Sequence, residues 1–478
     1  GKDLTIMDNK NNYGFVSRFG DQPSIQNSKQ TIVKAETNID VSSEKGQGGT
    51  VVVWSDQMTD FHGKINAEGA AILTTNTMAN AGKNTYKSLK DPPILTIKNK
   101  LEPFESTVDP PQSTIFDKGG GFVEISSKNH LKGANISGVS LNGGTLLLDP
   151  RDIYVRDSSL SGYTLTSNLN DVDSFNDGTN ALYQVNSSTI ETALTAGINI
   201  ILQARQDIFV QSDIIATGSS GGDLTLNAGV DINISADITT ANGDLNLIAN
   251  NASVTSRGTS HSDIDVTSTL NLGTGDLNIT LGNVSSGDSN NVHLGNATIN
   301  ANNITLTDSG TGSNTSRVSI LGDFIASSAI NVTSTNKRVN VGGASLTANG
   351  TGTAVDITSK YLSGNGSVST PNGIWRATNT DTSSNGARFG GFTGNFIQYG
   401  YSSGNAIQGT GSGLLSAYDP GNLTRIYNVF SSTSYHLTKE YDGTNSTAPA
   451  TFNTPSPSVT GASGATIPTG LTVTLNSP

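Results

Sequence analysis

Two aspartates 24 residues apart are the residues of this sequence best suited to chemistry. Asp207 stands in QARQDIFVQSDI and Asp231 in NAGVDINISADI. Two carboxylates on neighbouring turns of a repeat could act as the acid and base of glycoside cleavage, or could hold a calcium ion. An aspartate at a turn also accepts backbone N–H groups and tolerates unusual dihedral angles. Because each aspartate directly precedes an apolar, strand-like residue, we favour the structural interpretation.

Three Gly-Asp pairs resemble parts of a calcium-binding repeat. They occupy positions 222–223, 243–244 and 275–276. Calcium-binding nonapeptides need a glycine-rich pattern repeated in tandem every nine residues, and this spacing is much longer. The pairs therefore predict turns.

The histidines are the remaining candidates for metal binding or nucleophilic catalysis. They are His62, His130, His261, His293 and His436. Their spacing matches no zinc motif and shows no fixed relation to serine and aspartate. We therefore predict no catalytic residue, no metal site, no cofactor and no enzymatic activity.

Aromatic residues are concentrated after residue 370, and they could form a binding surface. Aromatic rings offer flat apolar faces on which sugars can stack. The commoner use of such a cluster is to cover the end of a repeat domain, and this is the interpretation we favour. If a carbohydrate or partner surface exists here, Trp375, Tyr399 and Tyr401 are the predicted contact residues.

The elements that carry these residues repeat with a period of 21 to 24. At the offset of 24, residues 200–202 align with 224–226, and residues 208–210 align with 232–234. Short alternating runs separated by Gly, Asn and Asp turns at this period predict a solenoid whose coils bury their apolar faces against each other. The predicted fold is all-β, a right-handed parallel β-helix, with seven or so coils between Ala196 and Gly364.

One short helix and several boundaries are predicted around this repeat. Ser188 to Glu191 form a capping-box pattern, and Gly197 provides a stop. The predicted divisions are 1–69 β-helix coils, 70–118 an insertion outside the helix, 119–369 β-helix coils, 370–436 an aromatic-rich capping region, and 437–478 the start of a β-sandwich module.

Composition excludes several classes of protein. The net charge is −12, so no basic face is available for phosphates and we predict no nucleic-acid partner. The chain has no cysteine, which rules out disulfides and thiolate metal sites. It also has no apolar run of about 20 residues, the length needed to cross a bilayer as a helix.

Four stretches of the chain resemble a known family. They are GGTVVVWSDQMTDFHGKINAEG at 48–69, GGGFVEISS with GGTLLLDPRDI within 119–153, VNSSTIETALTAGINIILQARQDIFV at 185–210, and KEYDGTNSTAP at 439–449. In this order the sequence resembles the filamentous-haemagglutinin class of large bacterial adhesins, which are exported by two-partner secretion. The last stretch is similar to the opening of the YDG or MBG-type repeats. The N-terminal secretion domain of that family is not found, which indicates an internal or processed segment.

The resemblance implies a function and partners. It implies a segment of a secreted or surface-exposed adhesin, anchored at the bacterial outer membrane, whose β-helix serves as a stiff stalk for attachment to host cells, surfaces or biofilm matrix. Its implied partners are an outer-membrane transporter during export and a host receptor or polysaccharide as ligand. The alternative hypothesis is a polysaccharide lyase or glycoside hydrolase on the same scaffold. Between Ala196 and Gly364 the chain has only six Lys and Arg residues, which disfavours a lyase.

Overall fold

The structure is a computed structural model that describes most of the predicted repeat region. The described residues are 28–70, 72–74, 115–117, 119–127, 130–157, 172–175, 182–251, 261–282, 289–295, 297–309, 317–382, 392, 394–418, 425–429 and 435–439. Most of the predicted insertion at 70–118 and nearly all of the predicted sandwich segment at 437–478 lie outside these residues.

Short strands dominate the described chain. In its first part they are β1 (Gln30–Val33), β2 (Asn38–Asp40), β3 (Thr50–Val53), β4 (Met58–Phe61), β5 (Lys64–Asn66), β6 (Ile72–Thr74), β7 (Ile115–Asp117), β8 (Phe122–Ser126), β9 (His130–Ala134), β10 (Val139–Ser140), β11 (Thr145–Asp149), β12 (Ile153–Val155), β13 (Val172–Phe175) and β14 (Leu182–Val185). A 3₁₀ helix, Ile136–Gly138, precedes β10, and the helix α1 (Ser187–Thr195) follows β14.

The strands after the helix continue the same plan. They are β15 (Asn199–Ala204), β16 (Ile208–Val210), β17 (Ile214–Ile215), β18 (Leu224–Ala228), β19 (Ile232–Ile234), β20 (Ile238–Thr239), β21 (Leu245–Ala249), β22 (His261–Val266), β23 (Leu270–Asn271), β24 (Leu277–Leu281), β25 (Ser289–Leu294), β26 (Thr298–Ala301), β27 (Ile304–Asp308), β28 (Arg317–Ile320), β29 (Asp323–Ala326), β30 (Ile330–Val341), β31 (Ser345–Ala348), β32 (Gly352–Ser363), β33 (Ser367–Ser369), β34 (Gly373–Asn379), β35 (Phe396–Tyr399), β36 (Gly413–Ser416), β37 (Arg425–Val429) and β38 (Tyr435–Lys439).

These strands stack into three sides of a parallel β-helix, which confirms the predicted fold class. Sheet 1 runs β3, β8, β11, β15, β18, β21, β24, β27, β30, β32, β34, and sheet 2 runs from β16 through β19, β22, β25 and β28 into the second halves of β30 and β32. Sheet 3 runs β17, β20, β23, β26, β29, β31, β33. Among the described residues, sheet 1 has seven strands between Asn199 and Ser363, as the repeat period predicted.

Alternation along each strand builds the core. In β15 the residues alternate between intermediate and buried, and the buried ones point inward. One inward column of sheet 1 runs through eight coils with an aliphatic residue at each: Leu146, Ile200, Leu224, Leu245, Leu277, Ile304, Ile330 and Val355. All eight are at most 2% exposed. Because each side chain lies on its counterpart in the next coil, burial is continuous along the rod.

One coil departs from this plan. After β12 the chain adds the antiparallel pair β13 and β14, so that sheet 2 reads β9, β13, β14, β12 at this level. On the sheet 3 side, α1 contacts β17, the edge strand of sheet 3, and the 3₁₀ helix that precedes β10, an edge strand of the separate sheet β2, β5, β10. Sheet 1 passes from β8 directly to β11. Sheet 2 therefore holds two extra strands at a level where sheet 1 holds none, and a helix occupies the sheet 3 side.

The predicted helix is confirmed, but its predicted cap is wrong. Asn186 is the N-cap residue, and its side chain accepts a hydrogen bond from the N–H of Ser188 at 3.0 Å. Glu191 does not reach back to the cap, because its Oε1 accepts from the N–H of Ile215 at 2.9 Å and so covers the edge of sheet 3. Gly197 has φ +76°, as expected of a helix stop.

Antiparallel pairs occur on both sides of the central coils. Residues 72–74 and 115–117 pair antiparallel, so both ends of the predicted insertion meet next to the rod. At the other end, β36 pairs in parallel with β34 and β35, and β37 and β38 follow as antiparallel strands. In the described part of the chain no helix is long and apolar enough to cross a membrane.

Candidate functional site

The repeated aspartates form a ladder at the corner that precedes sheet 2. Asp207 Oδ1 accepts a hydrogen bond from the N–H of Asp231 at 3.1 Å, and Asp231 Oδ1 accepts from the N–H of Asp263 at 2.8 Å. The series continues at both ends through Asp152 and Asn291. Each side chain therefore binds the backbone of the next coil. We name this series (Asp152, Asp207, Asp231, Asp263, Asn291) the sheet 2 Asx ladder.

A second ladder lies at the corner that precedes sheet 1. Its members are Asn199, Asp223, Asp244, Asp276 and Asn303, and each Oδ1 accepts from the backbone N–H of the next coil at 2.7 to 3.2 Å. This sheet 1 Asx ladder contains the aspartates of the Gly-Asp pairs at 222–223, 243–244 and 275–276. They are turn residues, as predicted, and their carboxylates bind backbone N–H groups.

The ladder carboxylates have shifted pKa values for a structural reason. Burial raises the pKa of Asp207 and of Asp223 above the ordinary aspartate value, and the hydrogen bond from the next coil partly opposes this rise. Burial also raises the pKa of Asp152. Because the same carboxylate oxygen accepts the N–H of the next coil, these shifts reflect burial in a ladder.

Asp231→Ala is expected to destabilise the rod by about 1–3 kcal/mol, because the N–H of Asp263 loses its acceptor in a partly buried corner. Asp231→Asn is the matched control, since asparagine keeps an acceptor oxygen and already occupies both ladders. Its cost should be less than half as large. Urea denaturation followed by circular dichroism measures both values. Equal destabilisation by the two substitutions would contradict an acceptor role.

Glu124 and Asp149 form the most strongly perturbed carboxylate pair among the described residues. They lie on adjacent strands, with Asp149 directly opposite Ser126 and Glu124 two residues earlier. Ser126 Oγ donates to Glu124 Oε1 at 2.6 Å, and Gln203 Nε2 donates to Asp149 Oδ2 at 3.1 Å. Asp149 Oδ1 is inaccessible to solvent and has no hydrogen-bond partner in the described structure. In this pair, a negative charge on one carboxyl group therefore favours protonation of the other.

Burial and mutual repulsion set the protonation of this pair. Burial, followed by the charge of Glu124, raises the pKa of Asp149 to about 7. Burial also raises the pKa of Glu124, against a lowering effect of the Ser126 hydroxyl. A carboxyl group with a pKa raised toward neutral pH is a candidate proton donor beside its neighbour. Sequence inspection missed this pair because neither residue belongs to the repeated motif.

The pH dependence of stability tests this assignment. Since the folded pKa of Asp149 is about 7 and the unfolded value is near 4, the folded state binds the additional proton between those values. Its contribution to stability is therefore lost as pH rises from about 4 to about 7, at a slope on the order of 1 kcal/mol per pH unit. Asp149→Asn should reduce this slope. Parallel pH profiles of the two proteins would contradict a proton held at this pair.

Two histidines have acidic partners in the structure. His293 Nδ1 lies 2.9 Å from Asp265 Oδ1 on the preceding coil, and Ser319 occupies the same register position on the following coil. His62 Nε2 lies 2.7 Å from Asp60 Oδ1. The sequence spacing of the histidines did not predict the contact between His293 and Asp265. The sequence offset of 24 does not align these residues, because Asp265 and His293 are 28 residues apart and His293 and Ser319 are 26 apart.

The column at His293 still lacks the features of a nucleophilic triad. In the part of the chain that the structure describes, no hydrogen bond joins His293 to Ser319. Ser319 lies in the middle of a strand paired on both sides, so its neighbouring backbone N–H groups serve the sheet and do not form an oxyanion hole. The side chains of His130, His261 and His436 fall outside the described residues. We assign His293 and Asp265 to a hydrogen-bonded pair at the surface.

The three aromatic candidates occupy different environments. Trp375 is 5% exposed and continues the inward column directly after Val355, where its ring packs edge-on against Phe392 at 5.6 Å between centroids. It therefore offers no free face to a sugar. Tyr399 and Tyr401 are partly exposed, and Tyr399 packs edge-on against Tyr418 at 6.5 Å. The structure does not join the three residues into one flat platform.

A cavity of about 540 Å³ lies between β10 and α1. Apolar residues such as Val139 and Ile198 line it together with hydroxyl groups such as those of Ser140 and Thr192. Glu68 is its one charged lining residue, and Ser140 Oγ hydrogen-bonds to it. Such a lining provides contacts for a small polar molecule but no paired acid and base.

Neither a metal centre nor a relative identifies the protein. Within the described ranges, no group of three or more His, Cys, Asp or Glu residues is arranged to hold a metal ion. Comparison with models of known protein families gives no match, and comparison with curated proteins gives none.

Proposed function

We propose that this chain is a rigid β-helical stalk of a large secreted or surface-exposed bacterial adhesin, attached at the outer membrane. The observation that carries the proposal is the continuous parallel pairing of sheet 1 from β11 to β34, with an aliphatic core column from β11 to β32 and an Asx ladder at its corner. Stiffness follows because every coil is hydrogen-bonded to both neighbours along its strands and at its corners.

The sequence resemblance supplies the remaining parts of this proposal. An outer-membrane two-partner-secretion transporter would export the unfolded chain, and successive coils would then add to the growing rod outside the cell. A host receptor or polysaccharide would be the ligand. The fold supports this route, because a solenoid coil needs only the preceding coil as a template.

A binding assay combined with a cleavage assay tests the stalk. The purified chain is applied to host cells, to abiotic surfaces and to a glycan array, and reducing ends are measured on the same polysaccharides. Electron microscopy of the same sample measures particle shape. Rod-shaped particles that attach to at least one surface without cleaving sugar are the expected result. Globular particles, or catalytic release of reducing ends, would overturn the proposal.

One observation favours a second candidate, a glycoside hydrolase. The Glu124 and Asp149 pair has raised pKa values and one solvent-inaccessible oxygen without a partner. If this pair is catalytic, Glu124→Gln and Asp149→Asn should each abolish release of reducing ends. Asp207→Ala should then leave the activity of the folded protein intact, because Asp207 belongs to the sheet 2 Asx ladder. Absence of cleavage by the native chain removes this candidate.

A further inference from the structure

Five consecutive coils carry threonine at one outward position of sheet 1. They are Thr280, Thr307, Thr333, Thr358 and Thr378, each directly paired with the next. Thr280 and Thr333 are exposed, and the other three are partly exposed. At the usual strand spacing of about 4.8 Å, the column is about 19 Å long. We name this series the threonine column.

A second outward column runs beside the threonine column, two residues earlier on each strand. Its members are Asn278, Thr305, Asn331, Asp356 and Arg376. The first three are uncharged, and Asn278 Nδ2 donates to Asn246 Oδ1 at 3.0 Å on the preceding coil. The two columns are about 7 Å apart, the distance covered by two strand residues. Over its first three coils this side of the rod is therefore an uncharged lattice of hydroxyls and amides.

The threonine column is not explained by strand propensity alone. β-branched residues suit every outward strand position to a similar degree. The comparable column of sheet 2 reads Asp265, His293, Ser319, Asn340 and Ser363. That of sheet 3 reads Asn271, Asn300, Ile325, Thr347 and Ser369. Neither column repeats one residue over more than two consecutive coils, whereas sheet 1 repeats threonine over five.

We infer that the threonine column binds a neutral linear polysaccharide that lies along the rod axis. A threonine hydroxyl both donates and accepts hydrogen bonds, as sugar hydroxyls do, and its methyl group contacts the C–H face of a sugar ring. Because the column repeats at every coil, it can bind successive sugar units in the same way. This inference rests on the proposed adhesin function and gives it a ligand class.

Charge selects a neutral polymer over an acidic one. The threonine column has no charged member, and the whole chain has a net charge of −12. A polyuronate would approach a protein with the same sign of net charge, and the threonine column offers no cationic group to neutralise its carboxylates. A neutral glycan meets no such repulsion and exchanges hydrogen bonds with water for hydrogen bonds with a regular array.

The test removes hydroxyls while keeping shape and strand preference. A triple variant, Thr307→Val with Thr333→Val and Thr358→Val, is compared with the native chain and with a sheet 3 control, Thr239→Val with Thr347→Val. The probes are cellulose, chitin, mannan and a linear β-1,3-glucan, with polygalacturonate as the acidic comparison. Co-sedimentation gives the bound fraction, and circular dichroism checks folding.

We expect the native chain and the sheet 3 control to bind at least one neutral polymer and not polygalacturonate. The triple variant should bind at least about tenfold more weakly, because three hydroxyl hydrogen bonds to the glycan are lost. Failure of the native chain on all four neutral polymers, or equal binding by the triple variant, overturns the inference. Rod-shaped particles that still attach to cells in that case would leave the stalk proposal standing.

Discussion

Replacing Lys337 by methionine should destabilise the protein by about 3–5 kcal/mol, since it leaves a buried carboxylate without its counter-charge. Lys337 Nζ lies 2.9 Å from Asp308 Oδ1, and the two side chains are 0% and 1% exposed. Ser334 Oγ donates to Asp308 Oδ2 at 2.7 Å. The pair lies at the corner where β30 turns from sheet 1 into sheet 2, next to the register shift after Ser334.

A double-mutant cycle separates this charge effect from lost packing. Lys337→Met combined with Asp308→Asn should recover most of the lost stability, because the asparagine is neutral and still accepts the Ser334 hydroxyl. Unfolding in urea at neutral pH gives the four free energies of the cycle. Strictly additive losses would show that the ion pair makes no coupled contribution. Burying two charges costs desolvation free energy, and removing only one of them leaves the other uncompensated. This corner is therefore expected to tolerate Lys337 and Asp308 together, or neutral residues at both positions.

Gly243→Ala is expected to destabilise the rod by about 3 kcal/mol, the upper end of the usual overpacking cost. A Cβ at Gly243 would lie 2.1 Å from the carbonyl oxygen of Gly222 on the preceding coil. A Cβ at Gly275 would lie equally close to the carbonyl oxygen of Gly243. Because the contact is backbone, no side chain can move aside, and adjacent coils must separate.

Gly295→Ala is the matched control for this substitution. Its added Cβ would meet its nearest neighbour, the carbonyl oxygen of Val266, at 3.3 Å, so a small shift relieves the contact. We expect its stability to stay within about 1 kcal/mol of the native protein. Thermal and urea unfolding compare the two variants. Similar losses at both positions would show that the close approach at Gly243 does not limit coil spacing.

The repeat was predictable from the sequence because residues paired between adjacent coils are separated by a constant number of residues wherever the loops keep their length. The offset of 24 that aligned Asp207 with Asp231 is the register between β16 and β19, and it also sets the register between β15 and β18. The pairing of His293 with Asp265 was not predictable from that offset, because coil length varies where loops leave the rod. The alternation of inward and outward residues survives such changes, whereas a fixed period does not.

The candidate sites were less predictable than the fold. Trp375 is one of several clustered aromatic residues in sequence, and only its register with Val355 places it inside the rod. Glu124 and Asp149 are separated by one coil without any repeated motif to connect them. Their perturbed pKa values depend on burial, which is a property of the neighbouring strands and not of the residues themselves.

The coil that holds β13, β14 and α1 also affects the direction of the β-helix axis. Two extra strands lengthen sheet 2 by about 9.6 Å at this level. Sheet 1 gains nothing at this level. Because both sheets belong to one β-helix, we expect the axis to bend toward sheet 1 at this coil. In the proposed stalk, such a bend would place the far end to one side of the base.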